Sequence, residues 1–302
     1  MERPILSARG AAGYLEALDN VLLLTHVRPD GDTIGSAAAL CRALRDCGQT
    51  AYLLPNPKIT ATYAPYAAPY WAPEGWQAEH IVSVDIADAS LLPENAQSYR
   101  DRIDLAIDHH PSQTFFARNT CLEADSAACG EIVYEIIQHL TALTADIALP
   151  LYVAVSTDCG GFQYGNTTAR THRIAAALMD VVDVAAVNKA LFRTKSRVRL
   201  AMESRMVADM KLFDHQRVVV MEIPLSLRQE MQATDADIEE LSALPALVEG
   251  TDCGVTLREL RPGTVKVSVR TGPRVDACAL CRILGGGGHH AASGATVEGT
   301  LD

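Results

Sequence analysis

Aspartate and histidine recur in four short segments of this chain, each following an apolar run. His26, Asp30 and Asp32 lie in THVRPDGD after VLLL, and Asp85 closes VSVD. Asp108, His109 and His110 close LAIDHH, and Asp158 sits in VSTDCGGF after an apolar helical stretch. One aspartate at a strand end is usually a turn or cap residue. Four segments that bring carboxylates and imidazoles together call for more. Close carboxylates repel, and they share a pocket only with a cation or with raised pKa values. An oxygen-rich donor set with a minority of imidazoles suits Mn²⁺, Mg²⁺ or Co²⁺ better than a thiolate-bound zinc. The number of donors also suits two cations bridged by a carboxylate, an arrangement that hydrolyses phosphate esters.

A second cluster lies near the C-terminus. Over residues 258–282, Arg258, Arg261, Lys266, Arg270, Arg274 and Arg282 are set against Glu259 and Asp276, a local charge of +4 (six minus two). GGGGHHAASG follows at residues 285–294. Glycines such as Gly286, Gly287 and Gly288 let the backbone approach a ligand and turn N–H groups toward an anion, with His289 as a further donor. A glycine run alone is as readily a turn between helix and strand; beside the basic cluster, an anion-binding loop is the better reading.

These residues need a scaffold that gathers them. Apolar runs at 21–25, 51–54, 81–85 and 103–108 alternate with helical patterns and polar loops, the pattern of βαβ units around a parallel sheet. Ligands of such sheets bind beyond the carboxyl ends of the strands, where the acidic residues fall. Helical patterns occupy about 126–142, 147–156 and 168–192, with no long strand between 110 and 190. A proline- and aromatic-rich stretch at 55–76 reads as an excursion packed over the sheet. Residues 193–215 read as a charged linker helix, followed by strands near 216–222, 253–259 and 265–270 and helices near 234–247 and 275–284. The expected architecture is α/β: a mostly parallel N-terminal sheet flanked by helices (1–190), a linker helix (191–215) and a smaller mixed α/β domain (216–302).

Composition narrows the function. With 302 residues, the chain is long enough for two cores. Its 48% hydrophobic and 21% charged residues exclude wholesale disorder. Twenty-six Lys+Arg against 37 Asp+Glu give a net charge of −11, which argues against a broad basic face for long nucleic acid. No apolar run approaches a membrane span, and MERPILSARG lacks the apolar region of a secretory signal, so a cytoplasmic enzyme or binding protein is expected. Eight scattered cysteines read as free thiols, Cys278 and Cys281 as half-buried helix residues. His80, His139, His172, His215, Trp71 and Trp76 read as surface or packing residues.

THVRPDGDTIGS, VDIAD, DHH and STDCGGF resemble the successive motifs of the DHH phosphoesterase superfamily, and VSVR with GGGGHHAASG resembles its DHH-associated C-terminal domain. The motifs occur in order over nearly the whole chain. The two-domain length is most similar to the subgroup of nanoRNases and 3′-phosphoadenosine 5′-phosphate phosphatases. The resemblance implies a Mn²⁺-dependent hydrolase that uses two cations to activate water, with Mg²⁺ or Co²⁺ as alternatives. Its substrates would be very short oligoribonucleotides, linear pApA included, or 3′-phosphoadenosine 5′-phosphate, bound in a cleft between the domains. By motif, His26 and Asp30 would hold one cation, Asp32, His109 and Asp158 the other, and Asp85 would bridge them. Asp108 would orient a histidine, His110 would face the scissile phosphate, and Arg270 and His289 would grip the other phosphate. Cyclic di-AMP cleavage and a non-catalytic nucleotide sensor are the alternatives; no membrane or long nucleic acid is expected as a partner, and a homodimer is allowed. Cys159 stands where relatives usually have threonine, and a thiol there could make the site oxidation-sensitive.

Overall fold

The computed structural model describes residues 4–301, with residues 239 and 240 described by backbone only. The chain divides into two compact units, Met1–Thr194 and Lys195–Asp302.

The first unit is built on strands β1 (Ile5–Leu6), β2 (Val21–Leu24), β3 (Ala51–Leu53), β4 (His80–Val84), β5 (Leu105–Asp108) and β6 (Asn119–Leu122). Their order is β1-β6-β5-β4-β2-β3, and every neighbouring pair is parallel. Parallel strands need covering on both faces, and the apolar residues alternate accordingly. Val21, Leu23, Val82, Val84, Leu105 and Ile107 join one buried cluster, while Leu22, Leu24, Ile81 and Ala106 join another. The larger cluster lies under helices α1 (Ala8–Glu16), α2 (Gly31–Asp46), α3 (Ala64–Ala67), α4 (Cys129–Leu140), α5 (Ala145–Asp158), α6 (Ala169–Met179) and α7 (Ala185–Asn188). The smaller cluster is closed by the 3₁₀ turns of residues 89–102, with Trp76 and Phe116 packed against it.

Helices α2 and α5 pack unusually close. A Cβ at Gly31 would lie 2.2 Å from Thr157 Oγ1, and one at Gly35 would lie 2.2 Å from the Pro150 carbonyl oxygen. The one-turn spacing of these glycines puts both on the α5-facing side of α2. The same side of the sheet thus receives Asp30 and Asp32 from the start of α2 and Asp158 from the end of α5.

The second unit opens with α8 (Arg197–Ala208). Its remaining elements are β7 (Lys211–Phe213), β8 (Val218–Ile223), α9 (Leu225–Glu230), α10 (Asp235–Ile238), β9 (Cys253–Arg261), β10 (Thr264–Thr271), α11 (Ala277–Ile283), β11 (Gly287–Gly288) and β12 (Ala292–Glu298). The sheet runs β11-β12-β10-β9-β8-β7 and is mixed: β8 and β9 are parallel, the other pairs antiparallel.

Two expectations need correction. The segment 191–215 is not one linker helix: a π-turn at Lys189–Arg193 precedes α8, and Lys211–Phe213 is a strand. Met202 and Met206 are buried with Val219, Met221 and Ile223, so α8 is part of the second unit's core. Finally, the helix near 234–247 is α10 followed by a 3₁₀ segment, Glu239–Leu247, with Pro245 inside it.

Candidate metal centre

Each acidic or histidine segment ends where a backbone element stops. His26 follows β2. Asp30 caps α2, its Oδ1 accepting from the amides of Asp32 and Thr33 at 3.1 and 3.2 Å. Asp85 directly follows β4 in the left-handed region (φ 59°), its amide donating to the Ile107 carbonyl at 2.8 Å. Asp108 is the last residue of β5, and His109 and His110 follow it.

The structure brings all seven of these residues, together with Asp158, to one place. Three donor groups form, with the ligand atoms of each within 4.8 Å of one another: His26, Asp30 and Asp85; Asp32, His109 and Asp158; and Asp85, His109 and His110, whose first two members link the other groups. His26 Nε2 lies 3.5 Å from Asp30 Oδ2 and 3.8 Å from Asp85 Oδ2. His109 Nε2 lies 3.8 Å from Asp32 Oδ2, 3.7 Å from Asp158 Oδ2 and 3.5 Å from Asp85 Oδ1. The two oxygens of Asp85 therefore face one group each.

Surrounding bonds fix these side chains. Asp32 is buried, and its carboxylate accepts from Cys129 N at 2.7 Å, Gly130 N at 2.9 Å and Ser36 Oγ at 3.0 Å. The two amides open α4, whose N-terminal dipole favours an anion there. His109 Nδ1 lies 3.1 Å from the Ser126 carbonyl; donation there leaves Nε2 as the lone-pair nitrogen facing the carboxylates. Asn166 bridges the carbonyls of Ala127 and Asp158 at 2.9 and 3.1 Å. Fully buried Asp108 accepts from His110 Nδ1 at 2.7 Å, and its other oxygen accepts from Gln113 Nε2, also at 2.7 Å. Ser36, Gln113, Ser126 and Asn166 escaped the sequence reading because a polar residue in a loop or helix carries no periodic signal.

The electrostatics suit cations. Burial, then the charges of Asp32 and Asp30, push Asp85 well above the ordinary carboxylate range. Burial and then Asp32 push Asp158 up to about 8, and burial pushes Asp32 up to about 6 despite the opposing effect of His109. Asp30 moves the other way: burial opposes it, but the bond and charge of His26 prevail. Asp85 Oδ1 is buried without a hydrogen-bond partner. Repelling carboxylates, an orphaned oxygen and two imidazole nitrogens turned inward are a donor set that two divalent cations would complete.

A pH dependence follows. Asp158, with an unfolded value of 3.8, holds its proton in the folded state until about 8, so the native state binds more protons across that window. The stability of metal-free protein is expected to fall as pH rises from about 4 to about 8, and added Mn²⁺ should abolish the fall. Thermal melts over that range with and without Mn²⁺ check this; a metal-free melting point that rises with pH would oppose it. Likewise, Gln113→Leu is expected to lower turnover about tenfold to a hundredfold by freeing the carboxylate that holds His110. Steady-state kinetics read the effect, and unchanged turnover would deny Gln113 that role.

Cys159 is at odds with an oxidation-sensitive site. Its thiol is buried, and burial pushes its pKa up to about 12, so little thiolate is available.

In the second unit, Arg270 of β10 pairs with Ala292, which closes a turn with His289 (His289 N to Ala292 O, 2.8 Å). Arg270 and His289 therefore share one end of that sheet. The glycine run departs from an amide cradle. Gly285 and Gly286 donate to the Arg282 and Cys281 carbonyls at the end of α11, and Gly287 and Gly288 form β11 beside β12. A Cβ at Gly286 would meet the Gly294 carbonyl oxygen at 2.2 Å, so glycine is needed there for the strand's close approach.

Residues 20–155 match the DHH family, N-terminal domain. The chain is 31% identical over 297 residues to a bifunctional oligoribonuclease and PAP phosphatase NrnA of Thermus thermophilus, covering 96% of this chain and 88% of that protein. A protein of the same name from Bacillus subtilis is 23% identical, covering 92% and 90%. An exopolyphosphatase-related protein of Bacteroides fragilis has the same fold, with a TM-score of 0.88 at 21% identity over 97% of this chain and 92% of that one. A manganese-bound RecJ exonuclease has a TM-score of 0.50 at 12% identity, covering 98% and 91%. A family match centred on the acidic cluster and a relative this similar over almost the whole length lead to one conclusion: the chain belongs to the DHH family.

Proposed function

We propose that this protein is a phosphoesterase dependent on two divalent cations, Mn²⁺ in the first place. It hydrolyses very short oligoribonucleotides, linear pApA included, to mononucleotides, and 3′-phosphoadenosine 5′-phosphate to AMP. The observation that carries the reading is Asp85, whose two carboxylate oxygens face two separate donor groups. The names of the relatives supply the substrate class.

His26 and Asp30 would hold one cation and Asp32, His109 and Asp158 the other, with Asp85 shared. When bound, the cations supply Lewis-acid stabilisation of the phosphoryl oxygens and lower the pKa of water. The chain does the rest. Asp108 fixes the His110 ring through Nδ1, which leaves Nε2 to face the departing oxygen as a hydrogen-bond donor. Arg270 and His289 bind the substrate's other phosphate, a charge-assisted grip suited to a short, doubly charged ligand. A nucleotide sensor would not need six potential ligands held this closely, which favours an enzyme.

The test is hydrolysis with Mn²⁺, Mg²⁺ or Co²⁺ of an RNA dinucleotide, a five-mer, a 24-mer, 3′-phosphoadenosine 5′-phosphate and cyclic di-AMP. Turnover of the dinucleotide well above the 24-mer, weakened about tenfold or more in Arg270→Ala, is expected. Binding without turnover with any of the three cations would replace the enzyme by the sensor, and a preference for cyclic di-AMP would move the substrate.

A further inference from the structure

Residues 126–130 run from the loop after β6 into the first turn of α4, and every donor of the group Asp32, His109 and Asp158 is tied to them. Asp32 accepts from the amides of Cys129 and Gly130. His109 faces the Ser126 carbonyl through Nδ1. The Asp158 carbonyl shares Asn166 Nδ2 with the Ala127 carbonyl. The group of His26, Asp30 and Asp85 takes its support elsewhere. Asp30 accepts from the amides that open α2, and Asn56 Nδ2 donates to the His26 carbonyl at 2.8 Å. A displacement of residues 126–130 would therefore move the donors of one group together and spare His26 and Asp30.

Arg170, in the first turn of α6, holds this segment. Its Nη1 donates to Glu123 Oε2 at 2.9 Å and to Ser126 Oγ at 3.1 Å, and Ser126 Oγ donates to the same carboxylate oxygen at 3.1 Å. Its Nε lies 3.8 Å from Glu131 Oε2, the oxygen that accepts from the Ala127 amide at 3.3 Å. Its Nη2 lies 2.6 Å from Glu135 Oε1. Three carboxylates thus share one guanidinium, and that of Glu131 is buried. Without the guanidinium they repel one another, and Glu123 and Glu131, which bond the segment at Ser126 and Ala127, are driven apart. A planar fork that reaches several acceptors in fixed directions is what arginine supplies and lysine does not.

We propose that Arg170 is a positioning residue for one of the two cations: through residues 126–130 it sets the Asp32, His109 and Asp158 donors, and it leaves the His26 and Asp30 donors untouched. The inference rests on the two-cation reading of the site and is independent of which phosphoester is the substrate.

The experiment measures Mn²⁺ binding to the full chain from the electron paramagnetic resonance signal of the free ion, so that activity plays no part. His26→Asn and His109→Asn each disable one donor group, and Arg170→Gln is added to both. Where His26→Asn leaves the cation of Asp32, His109 and Asp158, Arg170→Gln is expected to weaken Mn²⁺ about tenfold or more. Where His109→Asn leaves the cation of His26 and Asp30, the change is expected to be about twofold or less. Arg170→Lys keeps a cation among the glutamates, which guards against a variant that fails to fold; it is expected to show the same selectivity with a smaller loss. Equal weakening in both backgrounds would make Arg170 a general structural residue, and unchanged affinity in the first would sever its link to the donors; either result, with Gln or with Lys, overturns the proposal. Fewer than two Mn²⁺ on the parent chain would overturn the two-cation reading and this inference with it. Two Mn²⁺ on the parent without selectivity in the variants would overturn this inference alone.

Discussion

Asp85→Asn is expected to lower phosphoester hydrolysis about a thousandfold or more while leaving the fold intact. The size follows from position: removing a single preorganised electrostatic contact already costs about a hundredfold to a thousandfold in other active sites. Here one change touches both donor groups, because Asp85 Oδ1 faces His109 and Oδ2 faces His26. Asparagine has nearly the same shape and tolerates the left-handed backbone at this position, so the variant should fold. It also removes a buried carboxyl whose charged form burial and its neighbours disfavour. The metal-free variant should therefore melt at a higher temperature than the parent at neutral pH, although it is inactive. Kinetics and thermal melts on one preparation read both effects; activity within tenfold of the parent would remove Asp85 from the centre of the site.

Gly35→Ala should be the most damaging of the small substitutions. The added methyl has no room: it would sit 2.2 Å from the Pro150 carbonyl oxygen and 2.8 Å from Ala154 N, both backbone atoms of α5. Relief requires α2 and α5 to part, and overpacking of this kind costs about 1–3 kcal/mol. For a unit of this size that corresponds to a fall in melting temperature of roughly 3–10 °C. The same movement separates Asp30 and Asp32, at the start of α2, from Asp158, at the end of α5, so cation affinity should fall with stability. A helix-favouring gain at this position, seen as an unchanged or higher melting temperature, would show that the helices have slack.

Much of the first unit was legible in the sequence because burial on both faces writes long apolar runs. Val21–Leu24, His80–Val84 and Leu105–Asp108 each stand out, and the acidic residues after them mark the strand ends. The strands β1 and β6 did not stand out, since two and four residues carry no readable period. The metal-binding candidates were visible as residue types, but their support was not. Nothing local says that Ser126 lends a carbonyl to His109 or that Gln113 holds Asp108, because those contacts depend on the tertiary path. The glycine run misled for a related reason. Glycines that let amides face an anion and glycines that let a strand press against β12 look identical in sequence, and only the pairing of Gly287 and Gly288 with Gly294 and Ser293 separates them. The charged pattern of 193–215 hid Met202 and Met206, two residues that suffice to anchor α8 in the second core.

The most direct test is a Mn²⁺ titration of the metal-free protein, followed by calorimetry and electron paramagnetic resonance, on the parent and Asp85→Asn. The account predicts two Mn²⁺ per chain in the parent, with a spin-coupled signal because both cations share one carboxylate, and loss of that coupling in Asp85→Asn. A single Mn²⁺ per chain, or two with the six-line signal of isolated ions, would contradict it.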